Sequence, residues 1–182
     1  MSGEAPNHVY YRACEGAWSC DFELEISDPA AFRACPMGWL DRQRVTSMVR
    51  WARLTGPFVF ATTVDYASRG ARGEVVHTAR MAKFGATFLR STEVLTLDAN
   101  GRDFTLRGEQ RFWPTGRWRS RSFAGHGRVD ETATRATYDF EWFGTRMRQT
   151  TIRHDLGVDI YQESPWSRGT QRLRRVAVLP AQ

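Results

Sequence analysis

The sequence predicts an all-β protein, an antiparallel up-and-down barrel of about ten strands with a short helical insertion after strand 1. Two observations predict this class. After residue 57 apolar and polar residues alternate with a period of two, and turn signals recur about every 8–12 residues. An open meander of so many hairpins would leave two exposed edges, so closure into a barrel is favoured.

The composition sets the size and the compartment that we expect. The chain has 182 residues, of which 41% are hydrophobic, and no linker or repeat divides it, so we expect one domain over residues 1–182. Its first residues lack a basic start followed by an apolar run, and no stretch approaches the roughly 18 apolar residues of a membrane span. We therefore expect a cytoplasmic protein with no membrane partner.

The net charge of +6 comes almost entirely from arginine, and Lys83 is the only lysine. These arginines recur along the whole chain instead of gathering on one face or arm, so nucleic acid is not expected as a partner. The cysteines, Cys14, Cys20 and Cys35, are odd in number and lack Cys-x-x-Cys spacing. Such a set argues against both a disulfide framework and a zinc site.

The first strand, residues 16–26, has the clearest alternation. Trp18, Cys20, Phe22, Leu24 and Ile26 share one face, and the residues between them are polar or acidic. This pattern is typical of a strand with one face in the core and the other in water.

Residues 28–56 differ from the rest and predict a helical insertion. Asp28 suits a helix cap and Pro29 the first turn of a helix. A second candidate helix covers residues 39–54, where apolar residues recur at roughly helical spacing, and Gly56-Pro57 supplies a stop. Two alternatives are open: a plug at the end of the barrel, or a mobile lid over a pocket.

From residue 58 the hairpins can be registered, because a turn fixes which residues face each other and parity fixes their face. A turn centred on residues 100–101 pairs Ser91 with Gln110 and Glu93 with Gly108 on the inner face. A loop at residues 114–116 then pairs Gly108 with Ser122 and continues the same face.

The later hairpins repeat this arrangement. A turn at residues 143–144 sets Tyr138 opposite Gln149 inside and Asp139 opposite Arg148 outside, and a turn near residues 155–156 pairs Gln149 with Gln162. Opposite charges therefore meet on the outer face. The ten predicted strands are residues 16–26, 58–66, 74–83, 87–97, 103–113, 117–129, 134–142, 145–154, 157–165 and 170–178.

Gly16-Ala17-Trp18 opens the first strand, and the basic residues Arg172, Arg174 and Arg175 lie on the last strand. In these features and in its topology the chain resembles the calycin superfamily, the lipocalins and fatty-acid-binding proteins. The first motif is similar to the Gly-x-Trp of that superfamily, and the arginines lie where its members place an arginine that packs over the tryptophan. The insertion and the strand count look more like the fatty-acid-binding arrangement. The resemblance implies an interior pocket for hydrophobic ligands, and some members are cofactor-independent enzymes.

The predicted inner face is mostly apolar but also carries convergent polar groups, as ligand sites do. A packed core would exclude these groups, since a buried polar group without a partner costs on the order of 1–3 kcal/mol. The predicted ligand-binding residues are Ser91, Gln110, Trp118, Ser120, Ser122, Phe140, Gln149 and Gln162. Polar side chains that satisfy each other around trapped water are the alternative.

The sharpest candidate is a pair formed by His77 and Glu93. A three-residue loop at residues 84–86 keeps the inner face continuous and places His77 opposite Glu93, whereas a two-residue turn at 84–85 would turn His77 outward. Inside the barrel the carboxylate would orient the imidazole and raise its basicity. The alternative is a buried pair that only satisfies itself.

The first functional hypothesis is a cofactor-independent isomerase, cyclase or lyase that acts on a hydrophobic, natural-product-like metabolite. His77 would serve as acid or base with Glu93 as its orienting partner, and Tyr138 or His126 would donate to a carbonyl or enolate oxygen. The alternative is a non-catalytic carrier of a lipid-like or aromatic ligand. A third hypothesis is a binding module that uses the basic exterior.

The remaining predictions concern metals and partners. His77, Glu93 and His126 are the only plausible metal-ligand set, but their inferred rows do not coincide, so neither a metal nor another cofactor is predicted. His8 and His154 fall in a tail and near a turn and are expected on the surface. The predicted partner is a hydrophobic small molecule, and a homodimer is left open.

Overall fold

The computed structural model describes residues 4–69, 72–112, 119–142 and 144–176. In chain order the elements are α1 Pro6–Cys14, β1 Gly16–Phe22, β2 Glu25–Ile26, α2 Pro29–Ala34, α3 Trp39–Thr55, β3 Phe58–Arg69, β4 Arg72–Lys83, β5 Ala86–Leu97, β6 Asp103–Phe112, β7 Arg119–Val129, β8 Arg135–Trp142, β9 Thr145–His154, β10 Gly157–Glu163 and β11 Ser167–Arg175.

The strands close into a barrel. From β3 to β11 each strand pairs antiparallel with the next. Strand β1 pairs with β3 on one side and with β11 on the other, where Trp18 faces Arg175. The two-residue strand β2 continues the first strand and pairs with β11. Within the described ranges the wall therefore has ten strands, and the predicted all-β up-and-down barrel with its helical insertion is confirmed.

The closing seam carries the feature that the calycin resemblance implied. The guanidinium carbon of Arg175 lies 4.8 Å from the centroid of a Trp18 ring. The same guanidinium donates to the carbonyl oxygens of Ala13 and Glu15, at 3.2 and 3.0 Å. An arginine of the last strand thus packs over the tryptophan of the first strand and ties the end of α1 to the seam.

The hairpin between β4 and β5 combines a tight turn with a bulge. The turn is the two-residue one, with Phe84 and Gly85 at φ 50° and 80°, so the predicted three-residue loop is wrong. A register shift after Met81 makes Phe88 an extra residue of β5. Since the bulge restores the parity that the short turn changes, His77 still pairs with Glu93 as expected.

The register between β6 and β7 differs by one residue from the prediction. Gly108 faces Phe123 and not Ser122. A shift of one residue moves every side chain of a strand to the other face, so the inner face of β7 is Phe123, Gly125, Gly127 and Val129. The glycines are inside because neighbouring groups occupy their side-chain space: a Cβ at Gly127 would overlap the ring of Phe104, and a Cβ at Gly125 would overlap the backbone oxygen of Asp139 and the Cβ of Phe140.

The other registered hairpins are confirmed. Tyr138 pairs with Gln149, and Gln149 pairs with Gln162. On the outer face the carboxylate of Asp139 accepts from Arg148 Nε at 3.2 Å.

Helix α1 closes the end of the barrel that contains the β5–β6 turn. The side-chain amide of Asn7 donates to the carbonyl oxygens of Asp98 and Asp103, at 3.1 and 3.2 Å, which fixes the helix to that turn. His8 is buried and its Nδ1 lies 2.6 Å from the Tyr66 hydroxyl, so its expected surface position is wrong. The exposed His154 is where it was expected.

The helical insertion covers the opposite end. The Asp28 carboxylate accepts from the backbone N–H groups of Ala30 and Ala31, which confirms the predicted cap of α2. Helix α3 buries Val45 and Val49 in a cluster at this end. The insertion covers this end of the barrel, as both a plug and a lid would. That it moves as a lid stays a prediction.

The wall between β7 and β8 is only partly paired. Their ladder runs from Gly125 opposite Phe140 to Val129 opposite Ala136. Among the described residues, 119–124 of β7 pair with β6 but not with β8. The start of α3 lies beside this stretch, where Arg121 reaches the carboxylate of Asp41.

Candidate functional site

An internal cavity of ≈ 180 Å³ lies between the two covered ends. It exceeds a cavity of about 150 Å³ that accepts benzene in another protein. The apolar part of its lining comprises Trp18, Phe22, Leu24, Met48, Phe60, Val64, Ala79, Met81, Leu89, Leu106, Phe123, Phe140, Trp142, Met147, Val158, Ile160 and Leu173. Most of the polar side chains in this wall belong to three groups.

The first polar group is formed by His77, Glu93 and Ser91. His77 Nδ1 lies 3.8 Å from Glu93 Oε2, which is an ion-pair distance but too long for a hydrogen bond. The Ser91 hydroxyl donates to the other carboxylate oxygen at 3.3 Å. The side chains of His77 and Glu93 are 19% and 28% exposed, and both line the cavity. His77 Nε2 is buried without a hydrogen-bond partner among the described residues.

The second polar group is a ladder of three glutamines on neighbouring strands. Gln162 Nε2 donates to Gln149 Oε1 at 2.6 Å, and Gln171 Nε2 donates to Gln162 Oε1 at 3.3 Å. Cys20 lies at the end of the ladder, and burial together with nearby Asp21 raises the pKa of its thiol to about 12. Within the ladder Gln162 both donates and accepts, whereas Gln149 accepts and Gln171 donates.

The third polar group comes from α1. The hydroxyls of Tyr11 and Tyr138 lie 2.9 Å apart, and that of Tyr10 lies 2.6 Å from the Thr151 hydroxyl. Burial raises the pKa of all three tyrosines well above its ordinary value of 10.0. They therefore enter the cavity as neutral hydroxyls.

The helical end of the cavity adjoins a second hollow at the surface. Gln110, Phe123 and Trp142 border both spaces, and Trp142 Nε1 donates to Gln110 Oε1 at 2.7 Å. The Asp41 side chain, 4% exposed, lies across this hollow and accepts from Arg121 at 2.5 Å. An ion pair thus joins the start of α3 to the partly paired wall.

The structure brings most of the predicted site residues together. The residues that line the cavity as expected are His77, Glu93, Tyr138, Ser91, Gln110, Phe140, Gln149 and Gln162. Trp118 lies outside the described residues. Whether the lining residues bind a ligand or act in catalysis stays a prediction.

Three predicted residues lie on the outer face instead. Ser120, Ser122 and His126 are exposed, because the one-residue shift of β7 reverses its faces. Ser120 hydrogen-bonds to Glu109 on the outside. The prediction that these three residues face the interior is therefore wrong, and His126 cannot serve as a donor in the cavity.

Sequence analysis missed the contribution of α1. A signal was present, since Asn7, Tyr10, Tyr11 and Cys14 have the i, i+3, i+4, i+7 spacing of a helix face and Pro6 suits a helix start. The polar character of residues 1–8 concealed it. The tyrosines close one end of the cavity, so α1 belongs to the candidate site.

Two negative findings apply to the described ranges. Within them, no three His, Cys, Asp or Glu side chains come together in a way that would hold a metal ion. None of the helices in that part of the chain combines the length and the apolar character needed to cross a membrane.

Comparisons with known proteins find a structural similarity but no match to a family model or a curated protein. No protein-family model matches the chain, and no curated protein matches it. A structure search finds fatty-acid-binding protein 1 of Echinococcus granulosus, at 12% sequence identity and a TM-score of 0.37, covering 91% of this chain and 99% of that one.

Proposed function

We propose that the protein is a carrier that binds one compact hydrophobic molecule inside the barrel. The observation that supports this most strongly is the cavity of ≈ 180 Å³, which is mostly apolar with polar groups converging on it. Protein interiors normally contain few voids larger than a water molecule. A void of this size, held between two capped ends, is therefore better explained by a guest than by folding alone.

The cavity volume limits the guest. A cavity of about 150 Å³ accepts benzene, so ≈ 180 Å³ suits a molecule of about one aromatic ring with a short substituent. The rings of Trp18, Phe60 and Phe140 line the cavity and offer it aromatic contacts. The cysteines Cys14 and Cys20 are free and sequestered in the barrel; this is compatible with a reducing compartment and supports a cytoplasmic carrier.

Filling the cavity tests the proposal. Ala79 lines the cavity, and a phenyl ring at this position would occupy most of the free space. We expect phenylpropanol to bind the native protein in isothermal titration calorimetry, and Ala79→Phe to abolish that binding. Ala67→Phe is the matched control, because Ala67 is exposed and its variant should bind normally. A native protein that binds neither phenylpropanol nor similar single-ring alcohols would refute the proposal.

An acid–base enzyme is the second candidate, and the pairing of His77 with Glu93 favours it. It is less well supported than a carrier because the proposed donors are poorly placed: His126 is outside, and the Tyr138 hydroxyl already contacts Tyr11. On an identified substrate, His77→Ala and Glu93→Gln should each greatly reduce turnover. If neither variant changes turnover, this candidate is eliminated.

A further inference from the structure

We infer that the guest carries a neutral or cationic hydrogen-bond donor, an amine or a hydroxyl, and not a carboxylate. This inference rests on the proposed carrier function and specifies the chemistry of its ligand. It follows from the charges on the cavity wall and from the surroundings of Glu93.

The cavity wall lacks permanent positive charge. The chain contains 26 Lys and Arg residues, yet none of them is among the described residues that line the cavity. Glu93 is the one carboxylate in that lining, and the tyrosines stay neutral. An anionic guest would therefore meet a carboxylate with no guanidinium or ammonium to compensate the repulsion.

Glu93 has unused acceptor capacity. A carboxylate offers about four acceptor sites, and here the Ser91 hydroxyl donates to one oxygen at 3.3 Å. The other oxygen lies 3.8 Å from His77 Nδ1, beyond hydrogen-bond reach. Across the ladder Glu93 faces Gly108, which has no side chain, and the ring of Phe123 covers that glycine.

The neighbouring histidine extends the acceptor site. His77 Nε2 has no hydrogen-bond partner among the described residues although it is buried. As a neutral imidazole, His77 supplies one donor and one acceptor nitrogen. A hydroxyl or amine placed beside Glu93 can donate to the carboxylate, and a hydroxyl can also accept from the imidazole. A deprotonated carboxylic acid has no proton to donate to Glu93.

The surrounding apolar wall strengthens this selection. Electrostatic interactions are weakened much less in an enclosed site than in water. The repulsion between Glu93 and a carboxylate of the guest therefore has a large effect on binding affinity. Aromatic rings also line the cavity, including Phe123 and Phe140, and a ring that presents its face to a cation attracts it. We therefore expect an ammonium to bind at least as tightly as a hydroxyl on the same carbon skeleton.

Three probes with one skeleton test the inference: phenylpropylamine, phenylpropanol and phenylpropanoate, each titrated by calorimetry into the full chain. We expect the amine and the alcohol to bind at least about tenfold more tightly than the carboxylate, a difference of about 1.4 kcal/mol. Glu93→Gln should reduce the ratio of the amine affinity to the carboxylate affinity by about tenfold or more. Glu74→Gln removes the same charge from the exposed face of the same hairpin and should leave the order unchanged.

The outcomes separate this inference from the proposed function. If the alcohol binds but the carboxylate binds equally or more tightly, the inference fails and the carrier proposal stands. An unchanged order of affinities in a folded Glu93→Gln variant also overturns the inference. If none of the three probes binds, both the carrier proposal and the inference are overturned.

Discussion

Substitutions at two glycines of the inner face can distinguish a ring that borders the cavity from a ring in the packed core. A Cβ at Gly108 would overlap the ring of Phe123, and a Cβ at Gly127 would overlap the ring of Phe104 equally closely. The introduced methyl group and the ring that it meets first are thus alike in Gly108→Ala and Gly127→Ala, although Gly127 also has a backbone oxygen close by. The two rings differ in the space available around them.

The ring of Phe123 borders the cavity and can move into it. Overpacking ordinarily costs about 1–3 kcal/mol, but free space lowers the cost, and replacing a glycine within a strand returns about 0.5–1 kcal/mol. We therefore expect Gly108→Ala to change the free energy of unfolding by less than about 1 kcal/mol, because an overpacking cost at the low end of its range is largely offset by the replacement of the glycine. The displaced ring should instead weaken binding of phenylpropanol at least about tenfold.

The ring of Phe104 has no such space. It is almost fully buried and lies edge-on to Tyr11 and Tyr138, with centroids 5.5 and 5.0 Å away. The added Cβ at Gly127 would also approach the carbonyl oxygen of Thr137 to 2.6 Å, and backbone cannot move aside easily. We expect Gly127→Ala to destabilise the fold by about 3 kcal/mol or more, at the upper end of overpacking costs.

Urea denaturation followed by tryptophan fluorescence gives the stability of both variants, and calorimetry with phenylpropanol gives the binding of any that fold. The expected result is a stable Gly108→Ala variant that binds poorly and an unstable Gly127→Ala variant. Equal destabilisation by both substitutions would show that Phe123 has no room to move. A stable Gly108→Ala variant with normal binding would refute the link between this ring and the cavity.

Two other predictions follow from the buried polar groups. Alkaline pH should destabilise the fold, because burial raises the pKa of Tyr10 and Tyr11 and of the Cys14 and Cys20 thiols. The unfolded chain releases the thiol protons near pH 9 and the tyrosine protons near pH 10, while the folded chain keeps them. Stability is therefore intact below about pH 9 and begins to fall as the thiols titrate, and above pH 10 each of the two tyrosines adds up to about 1.4 kcal/mol per pH unit to the fall. Urea midpoints between pH 8 and 11 measure this fall, and Tyr11→Phe should make it shallower; an unchanged slope would contradict the assignment. Arg121→Gln removes one of the cations that contact the buried carboxylate of Asp41. Since Arg121 is half exposed, we expect the free energy of unfolding to fall by about 1 kcal/mol. Amide hydrogen exchange at the start of α3 should become faster, and an unaltered exchange rate would argue against the contact.

Much of the barrel could be predicted because its turns specify their own geometry. Asn100-Gly101 fixes the pairing of Glu93 with Gly108, and alternation then carries the inner face along both strands. The pairing of His77 with Glu93 was predicted for an incorrect reason, since a tight turn and a bulge at Phe88 together replace the longer loop. A bulge leaves no local signal in this sequence that distinguishes it from a longer turn.

The faces of β7 could not be predicted from polarity alone. Its outer face carries Ser120, Ser122 and His126, which resemble the polar residues of a ligand site, whereas its inner face contains Gly125 and Gly127. A glycine shows no preference for core or solvent until the ring or backbone group that fills its side-chain space is known. The site was therefore predicted well on the strands with large apolar residues and poorly where backbone and rings pack together.

The partial ladder between β7 and β8 has a consequence for how a guest enters a closed barrel. Widening a fully paired seam breaks backbone hydrogen bonds. Residues 119–124 of β7, however, have no ladder with the described part of β8, and the start of α3 lies beside them, where Arg121 contacts Asp41. Separating the two strands there breaks none of the pairs of the β7–β8 ladder. If the proposed guest exchanges through this stretch, the groups that hold the barrel together differ from those that control exchange, and mutation can change the rate of exchange without a matching change in stability.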